Sequence, residues 1–132
     1  MLNIVLCDDM RVLRNDLERL IRTYEEEKGI RFKYFLFESG EDLLEKFDTN
    51  KALADIYFLD YYMKGMNGVQ TALHIRQYDT ACDIVFVTSA DLGNLYEFMQ
   101  ASPLEILSKP AKKESVFNIL DKVLAQKKWG ED

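Results

Sequence analysis

The chain has 132 residues, enough for one ordinary domain and too few for two well-buried ones. With 48% apolar, 30% charged and 12% aromatic residues, it has the composition of a folded globular protein and not of a disordered one. Seventeen Lys and Arg against 23 Asp and Glu give a net charge of −6, the wrong sign for a domain that grips nucleic acid through phosphate contacts of its own.

Residues 2–7 (LNIVLC) read as a short buried strand, β1. Over 11–28, Leu13, Leu17, Leu20, Ile21 and Tyr24 recur at helical spacing with Arg and Glu between them, which predicts helix α1. Residues 30–37 (IRFKYFLF) alternate Arg31 and Lys33 with Ile30, Phe32 and Tyr34, as suits a strand at a half-solvated sheet edge, β2. Ser39 is placed to cap a helix over 40–47, α2, with Leu43, Leu44 and Phe47 as its buried side. DIYFLD at 55–60 reads as a strand buried on both faces, β3. The Gly- and Asn-rich MKGMNG at 63–68 is a turn that leads into a helix over 68–78, α3, and DIVFVT at 83–88 is a second doubly buried strand, β4. A helix over 92–101 (α4), a short strand at 104–108 (β5) and a helix over 112–127 (α5) complete the series. Val116, Leu120, Val123 and Leu124 form the apolar side of α5. Residues 1–127 are thus expected to form the domain, and 128–132 a chain end or the start of a linker.

Strands and helices that alternate with short right-handed crossovers predict an open α/β parallel sheet with helices on both faces. Cys7 and Cys82 are too few for a disulfide scaffold and lie outside any C-x-x-C, so both are expected as small buried side chains. No run approaches the ~20 apolar residues of a membrane span, and MLNIVLCDDM lacks the pattern of a signal peptide. A cytoplasmic chain with no membrane partner is expected. His74 is expected as a solvated residue of α3, and Tyr57, Phe58, Phe86 and Phe98 as core.

Open α/β sheets bind ligands beyond the carboxyl ends of their strands, so the residues that follow each strand carry the functional information. After β1 come Asp8 and Asp9; β3 ends in Asp60; β4 ends in Thr88, followed by Ser89; β5 is followed by Lys109 and Pro110. Three carboxylates at one edge repel one another unless a cation sits among them, and an all-oxygen set suits Mg²⁺. With such an ion in place, one carboxylate can attack phosphorus in line while a hydroxyl and an ammonium stabilise the transferred oxygens. Asp60, alone at the end of the central strand, is the natural nucleophile. Taken singly, Asp8 or Asp9 could cap α1, Ser89 or Asp91 could cap α4, and Pro110 could open α5. What those readings do not explain is the joint occurrence of these residues at four strand ends.

The order D-D, L-D followed by M-x-G-M-N-G, V-T-S and K-P resembles the receiver domain of two-component response regulators over about residues 2–127. The resemblance implies a flavodoxin-like (CheY-like) doubly wound five-stranded parallel sheet of order 2-1-3-4-5. It also implies that Asp8, Asp9 and the backbone carbonyl of Tyr62 hold Mg²⁺ together with Asp60, that Asp60 accepts a phosphoryl group from a histidine kinase, and that Thr88 and Lys109 contact the phosphoryl oxygens. The implied output is a remodelled α4-β5-α5 face, able to form a homodimer, with DNA bound only through a separate output domain. FLDYYMKGMNG and IVFVTSADLGNLYEF resemble the regulators that carry a LytTR-type DNA-binding domain. Four positions depart from the family pattern: Lys64 stands where Pro is usual, Ile106 where Tyr or Phe is usual, Ser89 where Ala is common, and Tyr62 is bulky. Lys64, Ile106 and Tyr62 motivate the alternative of a pseudo-receiver that serves as a phosphorylation-independent dimerisation or docking module. A Mg²⁺-dependent phosphatase would want Asp-x-Asp directly after β1 and a substrate cap, and the chain has neither.

Overall fold

A computed structural model describes residues 1–89 and 95–130, with backbone alone for 128–130. The elements are β1 (Leu2–Cys7), α1 (Arg11–Lys28), β2 (Phe32–Phe37), α2 (Gly40–Thr49), β3 (Ile56–Leu59), α3 (Gly68–Arg76), β4 (Asp83–Thr88), α4 (Leu95–Met99), β5 (Glu105–Ser108) and α5 (Lys113–Gly130). All four strand pairings are parallel, in the order β2-β1-β3-β4-β5. Because strand side chains alternate, the central strands feed two cores. Val5, Tyr57, Leu59, Ile84 and Phe86 pack against Leu43 and Phe47 of α2, Ala72 and Ile75 of α3 and Phe98 of α4. Ile4, Leu6, Phe58, Val85 and Val87 pack against Leu17, Ile21 and Tyr24 of α1 and Val116, Leu120 and Val123 of α5. Cys7 and Cys82 are buried and unpaired, as expected.

Helix boundaries follow local chemistry. Ser39 accepts the Asp42 N–H at 3.0 Å and caps α2. At α3, the Asn67 side chain accepts the Gln70 N–H at 2.8 Å while the Gln70 side chain accepts the Asn67 N–H at 2.9 Å. That reciprocal cap fixes the start of α3. The expected start of β2 at Ile30 is corrected to Phe32, because Gly29 ends α1 at φ 66° and the N–H groups of Gly29 and Ile30 both go to the Glu25 carbonyl. Ile30 and Arg31 thereby belong to the turn. The last helix runs to Gly130, past the expected end at residue 127. Pro110 follows a cis peptide bond and precedes α5 by three residues, so it does not open that helix. The expected cap Asp91 and the first residues expected in α4 lie outside the described residues.

His74 departs from its expected solvation. It is half-buried, with Nε2 2.9 Å from Asp48 Oδ1 and its ring edge-on to Phe47 and tilted against Tyr78, so it ties α3 to α2. That contact holds Asp48 below the usual carboxylate range.

Candidate functional site

The parallel ladder does not stop at the strand ends. The Asp8 N–H donates to the Phe37 carbonyl at 3.1 Å, the Asp60 N–H to the Cys7 carbonyl at 3.0 Å, and the Lys109 N–H to the Thr88 carbonyl at 3.1 Å. Three residues just past the strands are thus held in register with the sheet, and their side chains meet above it. Lys109 Nζ lies 2.7 Å from Asp8 Oδ2 and 3.0 Å from Asp60 Oδ2, with all three side chains nearly buried. Asp8 Oδ1 accepts the Met10 N–H at 2.8 Å, and the exposed Asp9 accepts the Lys64 N–H at 3.2 Å. Lys64 thus joins the loop after β3 to the loop after β1 through its backbone, which a proline there could not do.

Oxygens of Asp8, Asp9 and Asp60 come within 4.8 Å of one another. Asp60 Oδ1 is buried and has no hydrogen-bond partner among the described residues. An anionic oxygen left without a donor inside a protein calls for a cation, and hard carboxylate oxygens are the donors Mg²⁺ takes. The residues therefore fit that metal.

Burial pushes the Asp60 carboxyl above its ordinary range; the Lys109 hydrogen bond works against this and the Asp8 charge adds to it. Burial also works against the Lys109 ammonium, but its hydrogen bonds to Asp8 and Asp60 prevail and its pKa is raised, so it stays charged. Burial, with Asp8 and Asp60 nearby, pushes the Cys7 thiol up to about 12, which removes it as a nucleophile.

Thr88 is buried at the end of β4, opposite Ser108 of β5. Tyr62 lies two residues past Asp60 with its side chain exposed, edge-on to the Tyr61 ring at 4.8 Å. Ile106 is half-buried against the α2-α3-α4 core. Some residues around the site escaped sequence reasoning. Gly68 packs so tightly on the strand end that an added Cβ would meet the Asp60 carbonyl oxygen, and its N–H donates to the Tyr61 carbonyl at 3.0 Å. Tyr61 donates to the Glu97 carboxylate of α4 at 3.2 Å. The Gly68 contact has no local signal; the Asn67 cap does, in the N-x-x-Q spacing.

This sheet order with clustered acids and a lysine at its carboxyl edge defines a signalling domain of the receiver class, and residues 4–121 match the response regulator receiver domain family. The chain belongs to that family. It is 31% identical over 121 residues to the positive alginate biosynthesis regulatory protein of Pseudomonas aeruginosa, covering 92% of this chain and 46% of that protein. It is 30% identical over 126 residues to accessory gene regulator protein A of Staphylococcus epidermidis, covering 91% and 51%. It is also 30% identical over 127 residues to the sensory transduction protein LytT of Bacillus anthracis, covering 96% and 49%, in keeping with the LytTR-type resemblance. The chain spans about half the length of these relatives. Among solved structures, the REC domain of AraT from Geobacillus stearothermophilus superposes with a TM-score of 0.81 at 19% identity, over 99% of this chain and 98% of that one. The response regulatory domain of mrkE from Klebsiella pneumoniae gives 0.81 at 24% identity, over 98% and 99%. The flavodoxin-like order 2-1-3-4-5 expected from the resemblance is the order observed.

Proposed function

We propose that residues 1–127 act as a phosphoacceptor receiver: Asp60 takes a phosphoryl group from the phosphohistidine of a histidine kinase, and the α4-β5-α5 face changes in response. The observation that carries this reading is the Lys109 ammonium bridging Asp8 and Asp60 while buried Asp60 Oδ1 has no hydrogen-bond partner among the described residues. A carboxylate oxygen of Asp60 attacks phosphorus as the P–N bond to the imidazole breaks, and the imidazole takes a proton from solvent. Lys109 then shifts from the free carboxylate to the oxygens of the acyl phosphate, a charge-assisted contact. Thr88 donates its hydroxyl to the same oxygens. Asp8, Asp9, Asp60 and the Tyr62 carbonyl would hold Mg²⁺, which supplies charge neutralisation among the acids and on the transferring group when bound.

Two relatives named as regulatory proteins, each about twice this chain's length, support a regulatory output through a segment beyond the matched half; DNA binding by that segment, a cytoplasmic location and homodimerisation through the α4-β5-α5 face are part of the same proposal. The test is intact mass after incubation with acetyl phosphate and Mg²⁺. One added phosphoryl group that requires both the metal and Asp60 supports the reading. No addition to folded protein, from this donor or from a kinase, leaves the phosphorylation-independent docking module.

A further inference from the structure

One buried cation near the acids has no part in that scheme. Arg14 lies on α1, and its side chain is only 9% exposed. Its carboxylate neighbour, Glu38, is 75% exposed and 3.9 Å away, a weak pair. Its close contact is to backbone: Nη1 donates to the Asp8 carbonyl oxygen at 2.7 Å, in a buried bond. Nε is buried with no partner among the described residues. The guanidinium borders a cavity of about 40 Å³ beneath the strand ends, shared with Asp8, Asp60, Lys109 and Leu17. Among the described residues no carboxylate lies closer to it than Glu38, and a buried cation so weakly paired is a poor device for stability, which directs attention to what its bond to the Asp8 carbonyl fixes.

The Asp8 carbonyl belongs to the planar peptide unit that joins Asp8 to Asp9. Asp8 is already held by its N–H on Phe37 and by its carboxylate on Met10 and Lys109. Arg14 adds the remaining restraint, on the carbonyl, and so sets the direction in which the chain leaves β1 and where Asp9 projects. The geometry points to Arg14 as a positioning residue for divalent-cation binding: it fixes the Asp8–Asp9 peptide plane so that both carboxylates face the same ion. This rests on the reading of Asp8, Asp9 and Asp60 as a Mg²⁺ site.

Charge and position make opposite predictions, which allows a clean test. A guanidinium repels Mg²⁺, so on charge alone its removal tightens metal binding; on position its removal weakens it. Arg14→Lys keeps the charge and the apolar stem without the forked donors, and Arg14→Met removes the charge at similar volume. Each protein, shown to be folded by circular dichroism, is titrated with MgCl₂ by isothermal calorimetry. Both variants are expected to bind Mg²⁺ roughly tenfold or more weakly than wild type, the range found for residues that orient metal ligands, while Glu38→Gln binds as wild type. Wild-type affinity in either Arg14 variant, tighter binding by Arg14→Met, or failure of both to fold overturns the positioning role. If wild-type protein binds no Mg²⁺, or Asp9→Asn binds it equally well, the metal-site reading itself falls. A purely structural Arg14 would lower the melting temperature and leave the affinity of the folded protein unchanged.

Discussion

Replacing Gly68 with Ala puts one methyl group against the carboxyl end of β3. The added Cβ would clash with the Asp60 carbonyl oxygen and sit 2.9 Å from its carbonyl carbon and 3.1 Å from Tyr61 Cα, where ordinary contact is 3.4–4 Å. All three are backbone atoms, so no side chain can swing aside, and α3 must retreat from the sheet by about 1 Å, a shift of the size that can slow an active site a hundredfold. Alanine favours a helix over glycine by up to about 1 kcal/mol. Overpacking costs typically about 1–3 kcal/mol, and rigid neighbours place this case at the upper end. Steric strain therefore wins, by about 2 kcal/mol, or roughly 6 °C in melting temperature for a domain of this size. Gly29→Ala is the control: nothing lies within 4 Å of its added Cβ, and its φ of +66° exacts only the left-handed backbone cost. That cost is about 1 kcal/mol, with phosphorylation by acetyl phosphate unchanged. Calorimetric melting and timed intact-mass labelling measure both effects. A Gly68→Ala protein that melts and labels like wild type would refute the claim that this glycine sets the position of Asp60.

Further outcomes follow from charge and hydrogen bonding. Asp60→Asn should take up no phosphoryl group yet melt, in metal-free buffer, no lower than wild type, because burial already disfavours the charged carboxylate; an unfolded variant contradicts this. Asp83 is raised from 3.8 by burial, with Arg76 and Lys127 opposing and Asp55 adding, so its charged form costs stability above the raised folded-state pKa and costs nothing below 3.8. Asp83→Asn should therefore stabilise the domain in urea at pH 7, by a margin that shrinks as pH falls toward 3.8; a margin independent of pH refutes the assignment. Tyr24 donates to Asp121 Oδ1 at 2.7 Å and links α1 to α5. Tyr24→Phe should cost about 1 kcal/mol in urea denaturation, the low end for a buried donor, since the exposed Asp121 is left with water.

The sheet was legible because its central strands are short apolar runs rich in Ile, Val and Phe, bounded by turn residues, and because helical spacing reappears between them. The acids and Lys109 were legible because a parallel sheet brings every strand's carboxyl end to one edge, so sequence order alone juxtaposes them. Arg14 was not: among Leu13, Leu17 and Ile21 it reads as a polar spacer, and its burial follows from a carbonyl six residues away. Gly68 and His74 were hidden for the same reason, since their partners, Asp60 and Asp48, lie outside the local window on which periodicity acts. Residues 30 and 31 misled because alternation continued through a turn that Gly29 had already begun.

Charge at the strand ends makes the last prediction. Among the described residues one ammonium, that of Lys109, pairs with Asp8 and Asp60, and an Asp9 oxygen lies within 4.8 Å of theirs, so the three acids keep an excess that a divalent cation would offset. Binding to the native state alone stabilises it by about 2.7 kcal/mol at a hundred times the dissociation constant, roughly 8 °C here. Asp9 is the exposed member, held by one backbone N–H, so Asp9→Asn should leave the metal-free melting temperature near wild type and still blunt the response to Mg²⁺. A tenfold loss of affinity would remove about 1.4 kcal/mol of that stabilisation at the same metal concentration. Melting curves with and without MgCl₂, at fixed ionic strength to separate binding from screening, read the difference. Equal shifts in the two proteins would mean that the three carboxylates do not share an ion and that Lys109 alone balances Asp8 and Asp60.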